Sequence, residues 1–164
     1  MSRFGSVSTP VGVLSVVSDG RAVTRVGWGM PAPADVQEGE DPLLADAIKQ
    51  LTEYFAGTRR RFDLPLELGV QTEGARAVLT TLYETVEYGE SVTYGQLAAR
   101  SGSGIPARGI GAIMGANPIP IIVPCHRVLA EDGLGGYSGG EKGRGLETKR
   151  WLLEREGALP APLF

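Results

Sequence analysis

The alternation of apolar and polar positions predicts a β-hairpin near the start of the chain. Residues 11–17 and 22–28 are mostly apolar, and Asp19-Gly20 lies between them. Two such runs around an Asp-Gly pair are typical of antiparallel strands joined by a tight turn. Residues 62–68 alternate in the same way, but Pro65 restricts them to an edge strand because proline has no amide hydrogen to donate.

Apolar residues at helical spacing predict a helix over residues 42–56, which Gly57 ends. The Pro- and acid-rich residues 31–41 before it indicate a connection. In the second half, the same spacing predicts helices at residues 74–86, 93–100, 106–116 and 146–155. Residues 119–123 are continuously apolar and predict a short buried strand or extended run, whereas residues 158–164 indicate a frayed or lightly docked tail.

The helices at 93–100 and 106–116 have the outline of a helix-turn-helix. Thr93 is a suitable N-cap for the first, and Pro106 suits the first turn of the second. Ser101-Gly102-Ser103-Gly104 forms the turn between them. The sequence therefore predicts a two-domain α/β (α+β) protein. A small N-terminal α/β domain would span residues 1–70, and a mainly helical C-terminal domain would span residues 71–164.

Candidate chemistry is concentrated at Cys125-His126, the only cysteine and the only histidine among 164 residues. A nucleophilic thiol needs a base, and that base needs an orienting acid, which Glu154 or Glu156 in the last helix can supply. Adjacent residues of an extended run point to opposite faces, so a bridging water is expected between the thiol and the imidazole. The chemistry alone leaves both a cysteine hydrolase and a group-transfer protein open.

Composition excludes several other classes. One cysteine permits no internal disulfide, and a zinc site of Cys and His ligands needs about four of them. No apolar run is long enough to span a membrane, and no nucleotide-binding fingerprint is present. We therefore expect a cytoplasmic protein. Metal sites built from carboxylates stay open, but the sequence shows no recognisable spacing for one.

The distribution of charge predicts an anionic partner despite a net charge of −3. No acidic residue lies between Glu90 and Glu131, whereas Arg100, Arg108 and Arg127 all do. Local charge decides anion binding more than total charge does, so this cationic island indicates an anionic partner.

The helix at 106–116 is unusually poor in side chains. Gly109, Gly111 and Gly115 each cost about 1 kcal/mol relative to alanine in a helix, and one arginine, Arg108, stands at its start. Close helix–helix packing is one explanation. The other is entry into the minor groove of DNA, about 6 Å wide, with Arg108 filling the space of an extruded base.

These motifs together resemble the O6-alkylguanine-DNA alkyltransferases, also called methylated-DNA–protein-cysteine methyltransferases. The resemblance rests on Pro-Cys-His-Arg-Val at 124–128, Gly-Ala-Asn-Pro at 115–118 and Gly-Gly-Tyr-Ser-Gly-Gly at 135–140. The family's opening hairpin resembles residues 8–12, and the end of its N-terminal helix resembles residues 54–57. Its helix-turn-helix resembles residues 88–95 and 106–108.

The resemblance implies an enzyme that transfers the alkyl group from O6-alkylguanine in duplex DNA, with O4-alkylthymine as a further substrate, to its own cysteine in a single turnover. Cys125 would be the nucleophile, activated through water by His126, which Glu156 would orient. Asn117 would brace this network. The thioether product cannot be hydrolysed, so the protein would be consumed. The resemblance implies no cofactor and no metal in this reaction.

The resemblance also implies a DNA-binding surface for a monomeric protein that takes the duplex through its minor groove. Arg108 would replace the flipped nucleotide, and Tyr94 would crowd its 3′ phosphate and help to protonate the leaving guanine. The remaining implied contacts to the base or to the groove come from Ala107, Gly109, Gly111, Val128, Tyr137, Ser138 and Gly139.

The sequence departs from the family pattern at two places. Ala75-Arg76 and Leu79-Thr80 stand where the family usually has Phe-Gln and Val-Trp, and residues 141–145 form an insertion. Members with zinc in the N-terminal domain need ligands that this chain lacks. The alternatives to alkyl transfer are a relative that binds alkylated DNA without reacting, which Cys125 argues against, and a cysteine hydrolase of small molecules.

Overall fold

The computed structural model describes residues 2–29, 37–38 and 41–159, and the chain divides into two units, Met1–Gly69 and Val70–Phe164. Most of the predicted connection at 31–41, and residues 160–164 of the predicted tail, lie outside the described residues. Within those residues, no helix combines the length and the hydropathy needed to cross a membrane.

The first unit contains a four-stranded sheet and one helix. The strands are β1 (Arg3–Thr9), β2 (Gly12–Ser18), β3 (Val23–Trp28) and β4 (Gln37–Glu38), in the order β3-β2-β1-β4. The predicted hairpin is confirmed as the antiparallel pair β2–β3, and β1 pairs with β2 in the same sense. The pattern of apolar and polar residues did not predict β1 or β4.

Helix α1 (Pro42–Phe55) covers this sheet with its apolar side. The side chain of Asp41 caps its first turn by accepting a hydrogen bond from the Leu44 amide at 2.6 Å. Leu44, Ala47 and Leu51 are completely buried beneath it. Gly57, at φ 81°, ends the helix as predicted.

The prediction of an edge strand at residues 62–68 is wrong. This segment makes a single parallel bridge, between Leu66 and Val23. The Val23 amide donates to the Pro65 carbonyl, and the Glu67 amide donates to the Val23 carbonyl, both at 2.9 Å. Because Pro65 cannot donate in return, pairing does not continue along the chain.

The second unit is mainly helical. Its helices are α2 (Glu73–Thr85), α3 (Tyr94–Ser101), α4 (Ala107–Gly115) and α5 (Gly145–Arg155), and its short strands β5 (Val92–Thr93) and β6 (Val128–Leu129) pair in parallel. At the departures from the family pattern, Ala75 and Leu79 are buried in α2, so aliphatic side chains fill that side of the helix.

The predicted helix-turn-helix is present as α3 and α4. Thr93 and Gln96 form a reciprocal capping box at the start of α3. Gly102 ends α3 in the left-handed conformation, at φ 62°. Pro106 is the N-cap of α4 rather than a residue of its first turn. This arrangement holds Ile110 and Met114 of α4 in the core and leaves Arg108 exposed.

The prediction of a strand or extended run at residues 119–123 is wrong. Ile121 has φ 73°, in a region that β-branched residues rarely adopt. The Val123 amide donates to the Ile119 carbonyl at 2.9 Å, which closes a buried turn. Cys125–Arg127 then form one turn of 3₁₀ helix. Cys125 and His126 therefore diverge around a helical turn and do not lie on opposite faces of a strand.

Candidate active site

Cys125 lies at the wall of a cavity of about 320 Å³. Its side chain is largely buried, with the residue 6% exposed. The cavity is lined by Tyr94, Gly111, Met114, Gly115, Cys125, Gly136, Tyr137 and Ser138. The lone thiol of the chain therefore faces an opening that a planar base could occupy, and it is not sealed in hydrocarbon.

A buried network of charged groups lies behind the thiol. His126 Nε2 is 2.7 Å from Glu156 Oε2, and both side chains are completely buried. Arg127 Nε donates to Glu156 Oε1 at 2.8 Å, and its Nη1 donates to the Val86 carbonyl at 2.8 Å. Glu156 thus bonds to both residues that follow Cys125, and it is the C-cap of α5.

The electrostatics of this network fix the proton on one nitrogen of His126. Burial raises the pKa of Glu156, but the charge and hydrogen bonds of His126 and Arg127 outweigh it and hold that pKa at about 2. Burial lowers the pKa of His126 against the opposing charge of Glu156, so the imidazole is mostly neutral at pH 7, and its positive charge acts on Glu156 only at lower pH. An ionised carboxylate only accepts hydrogen bonds, so Nε2 carries the proton and Nδ1 presents a lone pair.

His126 Nδ1 has no hydrogen-bond partner among the described residues. The imidazole therefore does not bond directly to the Cys125 thiol in this structure. A neutral imidazole with a free acceptor nitrogen beside a thiol can take up its proton through a bridging water. The water relay expected from the sequence remains a prediction.

Opposing effects act on the pKa of the Cys125 thiol. Burial raises the pKa of Cys125, and a hydrogen bond from the Asn117 side chain, the charge of Lys149 and neighbouring backbone amides lower it. Asn117 is itself fixed, because its Nδ2 donates to the Val123 carbonyl and its Oδ1 accepts from the Ile119 amide. Asn117 thus braces the turn before Cys125.

The glycine-rich segment 133–145 forms the outer wall of the cavity. A side chain at Gly135 would lie 2.8 Å from the Tyr94 hydroxyl, and one at Gly140 would lie 2.5 Å from Thr148 Oγ1. Ser138 Oγ donates to the Gly115 carbonyl at 3.2 Å. The loop is therefore packed against α3, α4 and α5.

Other predicted site residues take different positions. Arg108 and Ala107 are exposed at the start of α4. The Val128 amide donates to the Cys125 carbonyl, and its own carbonyl accepts from Lys149, so a purine would have to share that carbonyl. Gly139 lines a second cavity of about 550 Å³, which shares Tyr137 and Ser138 with the first and includes most of the insertion.

The cationic island predicted from the sequence is largely neutralised. Arg127 is buried against Glu156, and Arg100 lies 3.5 Å from Glu90. Arg100 and Arg108 are both exposed, and of the two only Arg108 has no charge partner among the described residues. The sequence could not reveal these pairings. Glu90, the partner of Arg100, lies at the edge of the island, and Glu156, the partner of Arg127, lies 29 residues further along the chain.

Sequence reasoning missed the burial of two cations in the site, Arg127 and Lys149. Lysine and arginine are rarely buried, so a charged residue in a helix or loop is ordinarily assigned to the surface. A metal role has no support in the described ranges, which contain no group of three or more His, Cys, Asp or Glu residues placed to hold an ion.

Comparison with known proteins matches both units to one family. The profile described as "6-O-methylguanine DNA methyltransferase, ribonuclease-like domain" matches residues 3–68, and the one described as "6-O-methylguanine DNA methyltransferase, DNA binding domain" matches residues 73–158. Together these matches cover most of the chain.

Individual relatives agree with the family profiles. A methylated-DNA–protein-cysteine methyltransferase of Metallosphaera sedula is 36% identical over 160 residues, covering 97% of this chain and 96% of its own. The protein of the same name from Homo sapiens is 39% identical over 134 residues, covering 78% of this chain and 62% of its own.

Comparison with solved structures leads to the same family. A crystal structure of Mycobacterium tuberculosis OGT in complex with DNA matches with a TM-score of 0.82 and 36% identity, covering 97% of this chain and 96% of that one. A buried Cys-His-Glu constellation beside a helix-turn-helix, on this two-unit fold, defines a cysteine-dependent DNA alkyltransferase. The chain belongs to the 6-O-methylguanine DNA methyltransferase family.

Proposed function

We propose that the protein repairs DNA directly by transferring the alkyl group of O6-alkylguanine to Cys125, once for each protein molecule. The observation that carries this proposal is the lone cysteine at the wall of a cavity of about 320 Å³, with the His126–Glu156 pair at 2.7 Å behind it. Membership of the family supports the same reaction.

The reaction would proceed by in-line displacement. His126 Nδ1 takes the thiol proton through water, and the Cys125 sulfur attacks the alkyl carbon. A carbon–sulfur bond forms as the carbon–O6 bond breaks, and the electron pair stays on the guanine. Tyr94, which lines the cavity, would deliver a proton to the leaving base.

The product explains why one protein would serve one lesion. The thioether joins sulfur to an unactivated alkyl carbon, and thiolate is a poor leaving group from such a carbon. The hydroxyl groups that line the cavity, those of Tyr94, Tyr137 and Ser138, are weak nucleophiles while protonated and would not displace it. No cofactor is consumed in this scheme, since the protein itself supplies the acceptor.

The DNA would be bound through its minor groove by α4. A side chain at Gly109 would approach Ile105 to 2.7 Å, so packing within the chain accounts for that glycine. Side chains at Gly111 and Gly115 would meet nothing within 4 Å. Because internal packing does not require these two glycines, they support a helix that must approach another surface closely.

Arg108 would fill the space of the flipped nucleotide. It stands exposed at the start of α4, on the side away from buried Ile110 and Met114. Arg108→Ala is expected to slow reaction with duplex DNA while largely preserving reaction with free O6-benzylguanine, which needs no flipping. An equal loss towards both substrates would contradict this role.

We further propose that the protein acts as a monomer.

A titration tests the proposed function against its alternatives. Fixed duplex DNA carrying O6-methylguanine is incubated to completion with increasing protein, and the remaining lesion is measured. Alkyl transfer predicts removal of one lesion per protein molecule and none by Cys125→Ala, which still binds DNA. Repeated turnover would indicate a hydrolase, and tight binding without removal would indicate a relative that only recognises the lesion.

A further inference from the structure

The turn that leads into α4 contains an apolar side chain, that of Ile105, to which the function proposed above gives no role. Ile105 directly precedes Pro106, the N-cap of α4, and is half-buried. No side chain caps the first turn of α4 by a hydrogen bond, although that turn carries Arg108. Without a capping side chain, the contacts of the preceding residues decide where the helix begins.

Ile105 packs against two helices at positions where each has a glycine. A side chain at Gly74, in α2, would lie 2.8 Å from Ile105 Cδ1, and one at Gly109, in α4, would lie 2.7 Å from Ile105 Cγ2. Both distances are too short for a carbon–carbon contact. The two methyl groups of one isoleucine therefore occupy the space that side chains on α2 and α4 would need.

The backbone does not explain these two glycines. Neither Gly74 nor Gly109 is among the described glycines with positive φ, so alanine could adopt the same conformation at both. Alanine is also a better helix former than glycine. The space taken by Ile105 is therefore the physical reason in this structure for glycine at both positions.

The turn holds Ile105 in place from the end of α3. Ser101 Oγ donates to the Ala98 carbonyl at 2.9 Å, and the Ser103 amide donates to Ser101 Oγ at 3.4 Å. The Ile105 amide then donates to Ser103 Oγ at 3.2 Å. Isoleucine is stiff about its first side-chain torsion because it branches at Cβ. The Cγ2 methyl therefore cannot move away from α4 without a change of rotamer.

We propose, on the basis of the function proposed above, that Ile105 is a positioning residue for the DNA-binding helix. It packs against Gly74 with one methyl group and against Gly109 with the other, so that α2 fixes the place of the first turn of α4. Arg108 projects from that turn. An apolar residue just before the N-cap commonly fixes the angle at which the chain enters a helix. Ile105 does not line the cavity of Cys125, and it acts through α4.

The first test changes α2 and leaves α4 untouched. Gly74→Ala places a methyl group against Ile105 Cδ1. It is expected to slow reaction with duplex DNA carrying O6-methylguanine about tenfold and to keep reaction with free O6-benzylguanine within about twofold of wild type. Ile105→Val removes Cδ1, and the nearest remaining atom, Cγ1, lies 3.5 Å away. The double variant should therefore return to within about threefold of the wild-type duplex rate.

The second test separates the two methyl groups. Gly109→Ala places a methyl group against Ile105 Cγ2, which valine retains, so Ile105→Val should not rescue this variant. Ile105→Ala removes both contacts and is expected to slow duplex repair about tenfold while keeping the reaction with the free base. The control is Glu84→Ala, at an exposed position of α2, which should keep both wild-type rates.

Circular dichroism identifies the folded variants, and Ile105→Ala decides the matter if Gly74→Ala does not fold. Equal slowing of Ile105→Ala towards duplex and free base would overturn the proposal, and so would an undiminished duplex rate. Failure of Ile105→Val to rescue a folded Gly74→Ala would overturn it as well, because the effect of the added methyl group would then not pass through Ile105.

Binding to undamaged duplex, measured by fluorescence anisotropy, separates this proposal from the proposed function. The positioning role predicts weaker binding by Ile105→Ala and by Gly74→Ala, and recovery when Gly74→Ala is combined with Ile105→Val. If this pattern is found but the wild-type protein removes no alkyl group, the proposed function fails and the role of Ile105 stands. If the wild-type protein repairs DNA but these variants keep its rates and affinity, only the role of Ile105 fails.

Discussion

Glu156 orients the imidazole of His126 and sets which of its nitrogens carries the proton. One carboxylate accepts from His126 Nε2 and from Arg127, at distances of 2.7 and 2.8 Å. The arginine keeps the carboxylate ionised, and the carboxylate keeps the imidazole in the tautomer whose free lone pair is on Nδ1. The sequence left Glu154 and Glu156 as alternatives, and the contact with His126 is made by Glu156.

Replacing this carboxylate is expected to cost stability as well as reactivity. Glu156→Gln leaves Arg127 buried without a counter-charge, so we expect the free energy of unfolding to fall by about 3–5 kcal/mol. Urea denaturation measures this change. The control is Glu147→Gln, at an exposed pair with Arg144 on the same helix, which is expected to change stability by under about 0.5 kcal/mol. Equal effects of the two substitutions would refute the assignment.

The low pKa of Glu156 also predicts an acid-sensitive fold. A carboxyl group whose pKa is held at about 2 in the folded state contributes stability above its ordinary pKa and loses it as the pH falls towards 2. The contribution is about 3 kcal/mol, lost between roughly pH 4.5 and pH 2. As the pH falls through this window, the free energy of unfolding should decrease more steeply for the wild type than for Glu156→Gln. Parallel curves for the two proteins would argue against a low pKa of Glu156.

At the scale of elements, α4 combines a buried stripe with a face that has almost no side chains. Ile110 and Met114 hold the helix to its unit. Ala112 is exposed one helical turn after Arg108, so the two residues share a face. If this face enters the minor groove, its small side chains are a steric requirement of DNA binding.

Ala112→Leu tests that requirement without altering the cavity lining. Leucine is a good helix former, so stability should change by under about 0.5 kcal/mol. Reaction with free O6-benzylguanine should be kept, while reaction with duplex DNA should slow at least about tenfold, the equivalent of 1.4 kcal/mol. The control is Ala45→Leu, at an exposed position of α1. Undiminished duplex repair by Ala112→Leu would exclude this face from the groove.

How much the sequence predicted differs between kinds of element. Helices and the β2–β3 hairpin follow local rules of periodicity and capping, and their predicted bounds agree with the structure within a few residues. The turn around Ile121 was missed because a left-handed isoleucine contradicts local preference and is held there by the buried surroundings. Burial of Arg127 and Lys149 was missed because it depends on partners distant in sequence, namely Glu156, Val128 and Gly136.

The whole molecule carries a net charge of −3. Its predicted cationic island has two exposed arginines, Arg108 and Arg100, and Arg100 lies 3.5 Å from Glu90. DNA binding should therefore release few counterions. We expect log K to fall with log salt concentration at a slope of about −3 or shallower, because each phosphate contact contributes about −0.9. Fluorescence anisotropy with labelled duplex measures the slope.

Arg108→Ala is expected to reduce the magnitude of that slope by up to about 1. Arg60→Ala, at an exposed arginine of the first unit, serves as the control and should leave the slope unchanged. A slope near that of proteins with many phosphate contacts, about −6 or steeper, would show that other cations of the chain dominate the interface.

The central claim is that the Cys125 sulfur becomes the permanent acceptor of an alkyl group from DNA. Peptide mass mapping after incubation with duplex DNA carrying O6-methylguanine tests it most directly. The account predicts a single methyl group, stable to prolonged incubation, on the peptide that contains Cys125, together with unmodified guanine in the DNA. Repaired DNA with an unmodified Cys125 peptide, or a methyl group on any other residue, would contradict it.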